Sequence, residues 1–577
     1  MDMINLVING EKVEVEKGTS ILDAAKKINI DIPTLCHMYM GNDNTRNCKG
    51  TCRVCVVEQE GKGKLIPSCS VAASEGMVIK THSPRVINTR RTIVELLLSD
   101  HPQDCLKCEK NGNCELQKLA GDLGVDRNRY KGEISEYGID DSSKVIVRDM
   151  DKCILCRRCV TMCNDVQKVN ALTPVDRGFD SVISTFFKKP LKDSECTYCG
   201  QCIAVCPTGA LREARDYDKL WSVLDNKDKF VVVQTAPAVR VALGEEFGLE
   251  VGTSVTGKMV GALKKLGFDA VYDTNFAADL TIMEEATELV ERLENGENLP
   301  LITSCCSAWV NFIEKKYPEY LNHLSSCKSP QQMFGAMAKT YLAKKLNKDP
   351  KDIVVVSIMP CVAKKHEARR EEMGRDGIQD VDIVITTREF STMLKEAGLD
   401  LRKMKDAEFD NPLGQSSGAG TIFGTTGGVT EAALRTAFEW VNGKTLENVE
   451  FKEVRGFTGI RETTVKLDGK DVNVAVANSL GNAKIIMDQI AEGKSKYQFV
   501  EIMACPGGCI NGGGQPFIKA DTEMIKKRME GIYSEDSNKT IRKAHENPMI
   551  KQAYDEFLEK PNSNKAHELL HTHYTAK

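Results

Sequence analysis

The sequence predicts a multidomain α/β protein, with small cysteine-rich modules leading into one large α/β domain built on parallel sheets. Three observations carry that expectation. The 577 residues suit ~4 domains. Sixteen of the 22 cysteines lie before residue 207, in four tight groups. From about Phe230 onward, near-continuous apolar runs alternate with helical segments, as buried parallel strands do. A formal net charge of −4 with interspersed signs offers no nucleic-acid surface and no basic membrane patch. No apolar run reaches membrane-spanning length and "MDMINLVING" is not a signal peptide, so a soluble cytoplasmic protein is expected. In a reducing compartment, clustered cysteines mean metal or redox chemistry rather than disulfides.

The first module, residues 1–82, opens with alternating apolar residues around Asn9-Gly10, the pattern of a β-hairpin. A helix from Ile21 to Ile28 follows, capped by Thr19 or Ser20. Then come Cys36, Cys48, Cys52, Cys55 and Cys69, and cysteine-only donors favour an iron–sulfur group over zinc. "GTCRVCVVE" followed by "PSC" resembles the β-grasp 2Fe–2S domain of complex I and its hydrogenase relatives. That resemblance implies Cys36, Cys52, Cys55 and Cys69 as ligands and leaves Cys48 spare.

The second module, residues 83–125, reads "HPQDCLKCEKNGNCELQKLA". His101, Cys105, Cys108 and Cys114 offer one imidazole and three thiolates, a set that also suits a zinc knuckle. Its wording resembles the His/Cys3-ligated 4Fe–4S segment of the complex I large iron–sulfur subunit. A neutral imidazole in place of a thiolate lowers the negative charge and raises the potential.

The third module, residues 140–217, is an internal duplication. Cys153, Cys156, Cys159 and Cys163 are repeated as Cys196, Cys199, Cys202 and Cys206-Pro207, the second copy with bacterial ferredoxin spacing. In that arrangement the fourth cysteine of each copy serves the other group. Cys153, Cys156, Cys159 and Cys206 then hold one 4Fe–4S, and Cys163, Cys196, Cys199 and Cys202 the other, in a ferredoxin-like 2x(4Fe–4S) domain. The segment "NDVQKVNALTPVDRGFDS" lengthens the connection between copies. Four clusters in series would form a wire.

In the large domain, residues 228–577, the runs "FVVVQTAPAV", "LPLITSCC", "DIVVVSIMPC", "VDIVITT" and "YQFVEIMACPGGC" read as strands. Three of them end in a cysteine: Cys306 (or Cys305), Cys361 and Cys505, with Cys509 one loop onward. Sites in open parallel sheets form beyond the carboxyl ends of strands, so distant thiols can converge there. "TSCC.AW", "MPC..KK.EA" and "E.MACPGGC..GGGQP" resemble the three signature segments of the iron-only (FeFe) hydrogenases. "TIMEEATELV", "SPQQ" and "GTTGGV" are similar to the stretches between them.

That resemblance implies a two-lobed H-cluster domain and reversible oxidation of H2. Cys306, Cys361, Cys505 and Cys509 would hold a 4Fe–4S cluster linked to a di-iron subsite with CO, cyanide and azadithiolate. Lys364 matches a cyanide-binding lysine; Pro237, Gln331, Met359 and Met503 match other cofactor contacts. Without the resemblance, a methionine on a buried strand reads as simple packing. Gly507, Gly508 and Gly512 to Gly514 would let the backbone approach a bulky cofactor. Glu285 and Glu288, at i and i+3 on one helix face with Arg292 a turn beyond, would ordinarily be solvated. The resemblance instead implies a proton route Cys305, Glu285, Ser325, Glu288, solvent. Ser307 stands where the family usually has proline, which frees a backbone N–H and loosens φ. Cys327 reads as a buried thiol without consequence.

The expected cofactors are thus the H-cluster, three 4Fe–4S clusters and one 2Fe–2S cluster. The two N-terminal modules resemble the complex I-like, multisubunit branch, and no GxGxxG follows a strand, so nucleotide and flavin would bind on other chains. The favoured partners are flavin/NAD(P)-binding and small iron–sulfur subunits of an NAD(P)-linked complex, a class that includes electron-bifurcating ones. A monomeric ferredoxin-dependent enzyme is the alternative, and a non-catalytic iron–sulfur scaffold or an H2 sensor is more remote. Maturation proteins would supply the di-iron subsite; neither nucleic acid nor membrane is expected as a partner.

Overall fold

The computed structural model describes residues 2–40, 45–456 and 458–577. The N-terminal hairpin forms as its pattern requires: Met3–Ile8 pairs antiparallel with Glu11–Glu16, and Asn9 and Gly10 turn between them at φ 51° and 91°. Ile4, Leu6 and Ile8 face one way and are buried. Val78–Lys80 joins Met3–Ile8 in parallel, and Val56–Gln59 and Leu65–Pro67 complete a five-stranded mixed sheet. The helix across it runs Ile21–Lys27. Ser20 caps it by accepting from Asp23 N at 3.1 Å, and Ile28 is already the C-cap.

Two helices, Pro84–Ser99 and Glu115–Asp122, frame the second module. The duplicated module rests on a three-stranded sheet of Ile139–Asp140, Ile146–Asp149 and Leu211–Glu213. The long connection between its two copies forms a hairpin of its own, Thr173–Val175 with Val182–Ser184.

The large domain contains two four-stranded sheets. In the first, Ala270–Asp273, Phe230–Thr235, Ile353–Met359 and Ile383–Thr386 are all parallel. In the second, Leu301–Ile302, Phe499–Met503 and Lys470–Asn478 are parallel, but the edge strand Ile460–Leu467 is antiparallel. The expectation of purely parallel sheets therefore fails at that edge. The signal was present as Asp468-Gly469, a turn dipeptide whose residues take φ 49° and 73°. The 22-residue helix Thr274–Asn295 buries most of its length; Asp273 accepts from Asn275 N at its start, and Gly296, at φ 70°, ends it.

Candidate metal centre and proton path

Four thiols from three strand ends converge in the large domain. Cys306 and Cys505 follow adjacent parallel strands of the second sheet, and the Cys306 sulfur accepts from Ala504 N at 3.4 Å. Cys361 follows Ile353–Met359 of the first sheet, and Cys509 begins a short turn after Cys505. Burial pushes Cys361 up to about 11 and the other three upward, and the charges of Cys306 and Cys361 add to the rise at Cys505 and Cys509, so the four stand together. Thiols so placed do not ionise unaided; a metal group that binds thiolates is what such a set suits.

The glycines near them serve the chain. A Cβ on Gly508 would lie 2.5 Å from Thr426 N, one on Gly512 2.2 Å from the Pro360 carbonyl, and one on Gly513 2.7 Å from Gly200 Cα. They let the Cys361, Cys509 and Cys199 loops meet, a role in chain packing that the sequence reading did not include.

Cys305 points to different company. Its thiol is raised well above the usual range by burial first, then by Glu285, the foremost charge beside it. Burial and the Glu288 charge push Glu285 up to about 8, against the favourable Ser325 hydroxyl and Ser304 N–H. The Ser325 hydroxyl donates to Glu288 at 2.8 Å. Arg292 donates to Glu288 at 2.6 Å and to the carbonyls of Leu324, Asn298 and Asn322, where the helix nears the surface. Ser325, Glu288 and Arg292 thus form a hydrogen-bonded chain, and Glu285 and Cys305 are buried close enough to feel its charge and each other's. Cys327, read as inconsequential, is fully buried beside it and feels Glu288, Glu285 and Glu284.

Lys364 donates to the Cys305 carbonyl at 3.0 Å and to both oxygens of Glu367 at 2.9 and 3.0 Å. Glu367 was not anticipated, although its i,i+3 spacing from Lys364 was visible. It also accepts from Ser307 at 2.7 Å, Ser329 at 2.7 Å and Gln331 at 3.0 Å. The proline-to-serine exchange therefore does not simply loosen the loop, because the hydroxyl ties Ser307 to a buried carboxylate. Met359, Met503, Pro237 and Gln331 are all buried around this region.

The N-terminal residues also gather. Cys36 is within hydrogen-bonding range of the Cys52 and Cys69 thiols, and Cys55 of Cys69; Cys48 stays half-buried outside that set. One apolar cavity is lined by Cys153, Cys156, Cys159 and Cys206, and a second by Cys163, Cys196, Cys199 and Cys202. The exchange of fourth cysteines expected from the duplication is what the fold brings together.

Several features fit iron–sulfur groups. Backbone N–H groups point at the sulfurs of Cys153, Cys163 and Cys196 at 3.3–3.4 Å. The same two positions of each copy take left-handed backbone, Leu155 and Arg157 at φ 52° and 63°, Tyr198 and Gly200 at 60° and 71°. Such turns are costly for non-glycine residues and wrap a chain around a centre. Buried His101 Nδ1 and Glu285 Oε1 have no protein partner.

The modules do not line up in single file. Asn47 donates to the carbonyls of Cys36, at 2.6 Å, and Cys156, at 2.9 Å. Cys108 packs on Gly209, just beyond Cys206, and Glu115 N donates to the Pro207 carbonyl. Both N-terminal modules thus abut the Cys153/Cys206 cavity. The other cavity faces the large domain, where Gln201 donates to the Asn511 carbonyl at 2.9 Å.

Known proteins resemble the chain module by module. The family described as iron only hydrogenase large subunit, C-terminal domain, matches residues 229–513, and iron hydrogenase small subunit matches residues 522–577. A 2Fe-2S iron-sulfur cluster binding domain matches residues 1–84 and the NADH-ubiquinone oxidoreductase-G iron-sulfur binding region residues 90–129. The NADH-quinone oxidoreductase subunit 3 ferredoxin-like domain matches residues 143–212. The chain is 52% identical over 584 residues to the NADP-reducing hydrogenase subunit HndD of Solidesulfovibrio fructosivorans, covering 100% of this chain and 99% of the relative. It is 41% identical to iron hydrogenase 1 of Clostridium pasteurianum, over 99% of this chain and 100% of the relative. The apo structure of the FeFe-hydrogenase HydA1 from Chlamydomonas reinhardtii superposes with a TM-score of 0.57 at 45% identity, covering 62% of this chain and 98% of that one.

Proposed function

Since this chain belongs to the iron-only hydrogenase family and is a hydrogenase, we propose that it serves as the hydrogen-activating subunit of an NADP-linked complex. The observation that supports the catalytic part is the hydrogen-bonded chain Ser325–Glu288–Arg292 with Glu285 and Cys305 buried next to it, beside four convergent thiols. Cys306, Cys361, Cys505 and Cys509 would hold the H-cluster, which when bound supplies the iron chemistry that splits H2 heterolytically. The protein's own residues supply the rest. Lys364, steadied by Glu367, holds its ammonium beside Cys305 to orient an anionic ligand. Cys305 carries the proton, and Glu285, tuned to about 8 by burial and then by Glu288, takes and returns it near neutral pH. Ser325 passes it to Glu288, and Arg292 holds that carboxylate at the exit.

For electrons, Cys36, Cys52, Cys55 and Cys69 would hold a 2Fe–2S cluster in a β-grasp domain, with 4Fe–4S clusters at the other three N-terminal sites. Two inputs would then feed the Cys153/Cys156/Cys159/Cys206 cluster, which passes electrons through its twin to the large domain. Full-length similarity to an NADP-reducing hydrogenase subunit supports NADP as final acceptor, with flavin and small iron–sulfur subunits as partners and maturation proteins for the di-iron subsite. No helix among the described residues is long and apolar enough to cross a membrane, and a cytoplasmic location is part of the proposal.

Some similar proteins are iron–sulfur assembly factors, for instance the cytosolic Fe-S cluster assembly factor narfl of Xenopus tropicalis at 32% identity over 66% of this chain. The acid path argues for turnover here instead, since a scaffold needs no buried relay. Purification from native cells under anaerobic conditions tests the complex. NADP⁺ reduction by H2 should follow co-purifying flavin and iron–sulfur subunits and be absent from the isolated chain. A lone chain that turns over rapidly with ferredoxin would overturn the NADP-linked reading.

A further inference from the structure

Lys110 lies between Cys108 and Cys114 and is only 7% exposed. Its Nζ sits 2.9 Å from the centroid of the Phe517 ring of the large domain. Arg388 also covers that ring, at 4.3 Å, but it is paired with Glu213 at 2.6 Å. The neighbouring charges are matched as well: Lys152 with Asp149, Arg158 with Glu115, and Arg212 and Arg215 with Glu109. Lys110, although buried, has no carboxylate partner among the described residues. Desolvating an ammonium costs more than one cation–π contact returns, so the fold places this charge for some other anion.

The surroundings identify that anion. A Cβ built on Gly209 would lie 2.8 Å from the Cys108 sulfur and 3.6 Å from Lys110 Cβ. The Lys110 stem and the Cys108 thiol therefore press together on the loop Cys206-Pro207-Thr208-Gly209. An unmatched cation thus rises from the Cys108–Cys114 loop of one site while its stem packs on the Cys206–Gly209 loop of the other.

We propose that Lys110 is the fixed counter-cation of the junction between the His101/Cys105/Cys108/Cys114 site and the Cys153/Cys156/Cys159/Cys206 site. A cation there stabilises the cluster that carries the extra electron, raises its reduction potential and draws electrons to the junction. Lys110 acts through charge and touches no substrate, so it is a positioning residue. The inference rests on reading both sites as iron–sulfur sites.

The test is a dithionite titration of the full chain, purified anaerobically with its N-terminal sites loaded and followed by electron paramagnetic resonance. Wild type, Lys110→Met and Lys110→Arg are compared. Lys110→Met should lower the reduction equilibrium constant of at least one junction cluster tenfold or more, about 59 mV for one electron. The clusters at Cys36/Cys52/Cys55/Cys69 and Cys163/Cys196/Cys199/Cys202 should not move, and Lys110→Arg should match wild type. Unchanged potentials in Lys110→Met with full iron content would overturn the proposal. If Lys110→Met loses iron, Lys110→Arg decides: iron and potentials retained support the charge, and both lost refute it. Iron absent from both sites in wild type would refute the underlying cluster reading instead.

Discussion

Cys305 and Cys306 are neighbours with different work because a strand end turns between them. Cys306 meets Ala504 and the other three convergent thiols, whereas Cys305 meets Glu285 and offers its carbonyl to Lys364. Glu285 gives this scale its pH dependence. Its carboxyl is raised from 4.5 to about 8, so the folded chain binds that proton more tightly than the unfolded chain does. Its ionisation therefore costs stability progressively as pH rises from about 4.5 to about 8, and no further above that. The apo Glu285→Gln variant should match wild type near pH 4 and gain stability over it by a few kcal/mol (~3) at pH 8, in urea unfolding. A gain that shrinks with rising pH would contradict the assignment. The same variant should lose ~10²–10⁴-fold in H2 turnover while its cluster iron is unchanged. Ser307→Ala removes the hydroxyl bond to Glu367; in the apo protein it should cost about 1 kcal/mol or somewhat more, and no measurable cost would show the tie to be incidental.

At the scale of elements, the cysteine spacing made the small modules legible, because ligand loops are local in sequence. The strand runs of the large domain were legible for the same reason, as continuous apolar stretches. What stayed hidden was lateral. Leu301–Ile302 shows only two strand residues, yet its place beside Phe499–Met503 is what brings Cys306 to Cys505. The edge hairpin at Asp468-Gly469 was overlooked although its turn chemistry was plain. Glu367 stood inside the quoted segment "MPC..KK.EA", but its role, like that of Lys110, depends on other segments: the hydroxyls of Ser307 and Ser329 for Glu367, and the lack of a carboxylate for Lys110. The packing of loop on loop yields a prediction here. Gly513→Ala drives a methyl into Gly200 and should cost the apo chain ~1–3 kcal/mol by overpacking, measured by denaturant unfolding. Gly443→Ala, which meets no atom within 4 Å, carries only the strain of a positive φ and should cost less.

For the whole molecule, sequence order suggested a wire and the fold makes a junction. Asn47 bonds the Cys36 loop to Cys156, and Gly209 seats Cys108 near Cys206, so two modules abut one ferredoxin-like site and the proposed electron route has two inputs. Two inputs suit a complex that handles electrons from or to more than one carrier. Asn47→Ala, which deletes both bonds, should slow electron passage from the N-terminal 2Fe–2S site while leaving passage from the His101 site unchanged, read by rapid freeze-quench electron paramagnetic resonance. Equal slowing of both would mean that Asn47 only supports the fold.

The central claim is that one thiol of the adjacent pair moves protons while its neighbour holds the cluster. Deuterium exchange between D2 and water by the fully matured, anaerobic chain tests it most directly, with iron content measured alongside. Wild type should exchange. Cys305→Ser should keep its iron and lose at least ~10²-fold of the exchange, and Cys306→Ser should lose iron from the large domain. Wild-type exchange in Cys305→Ser, or equal loss of iron in both variants, would contradict the account.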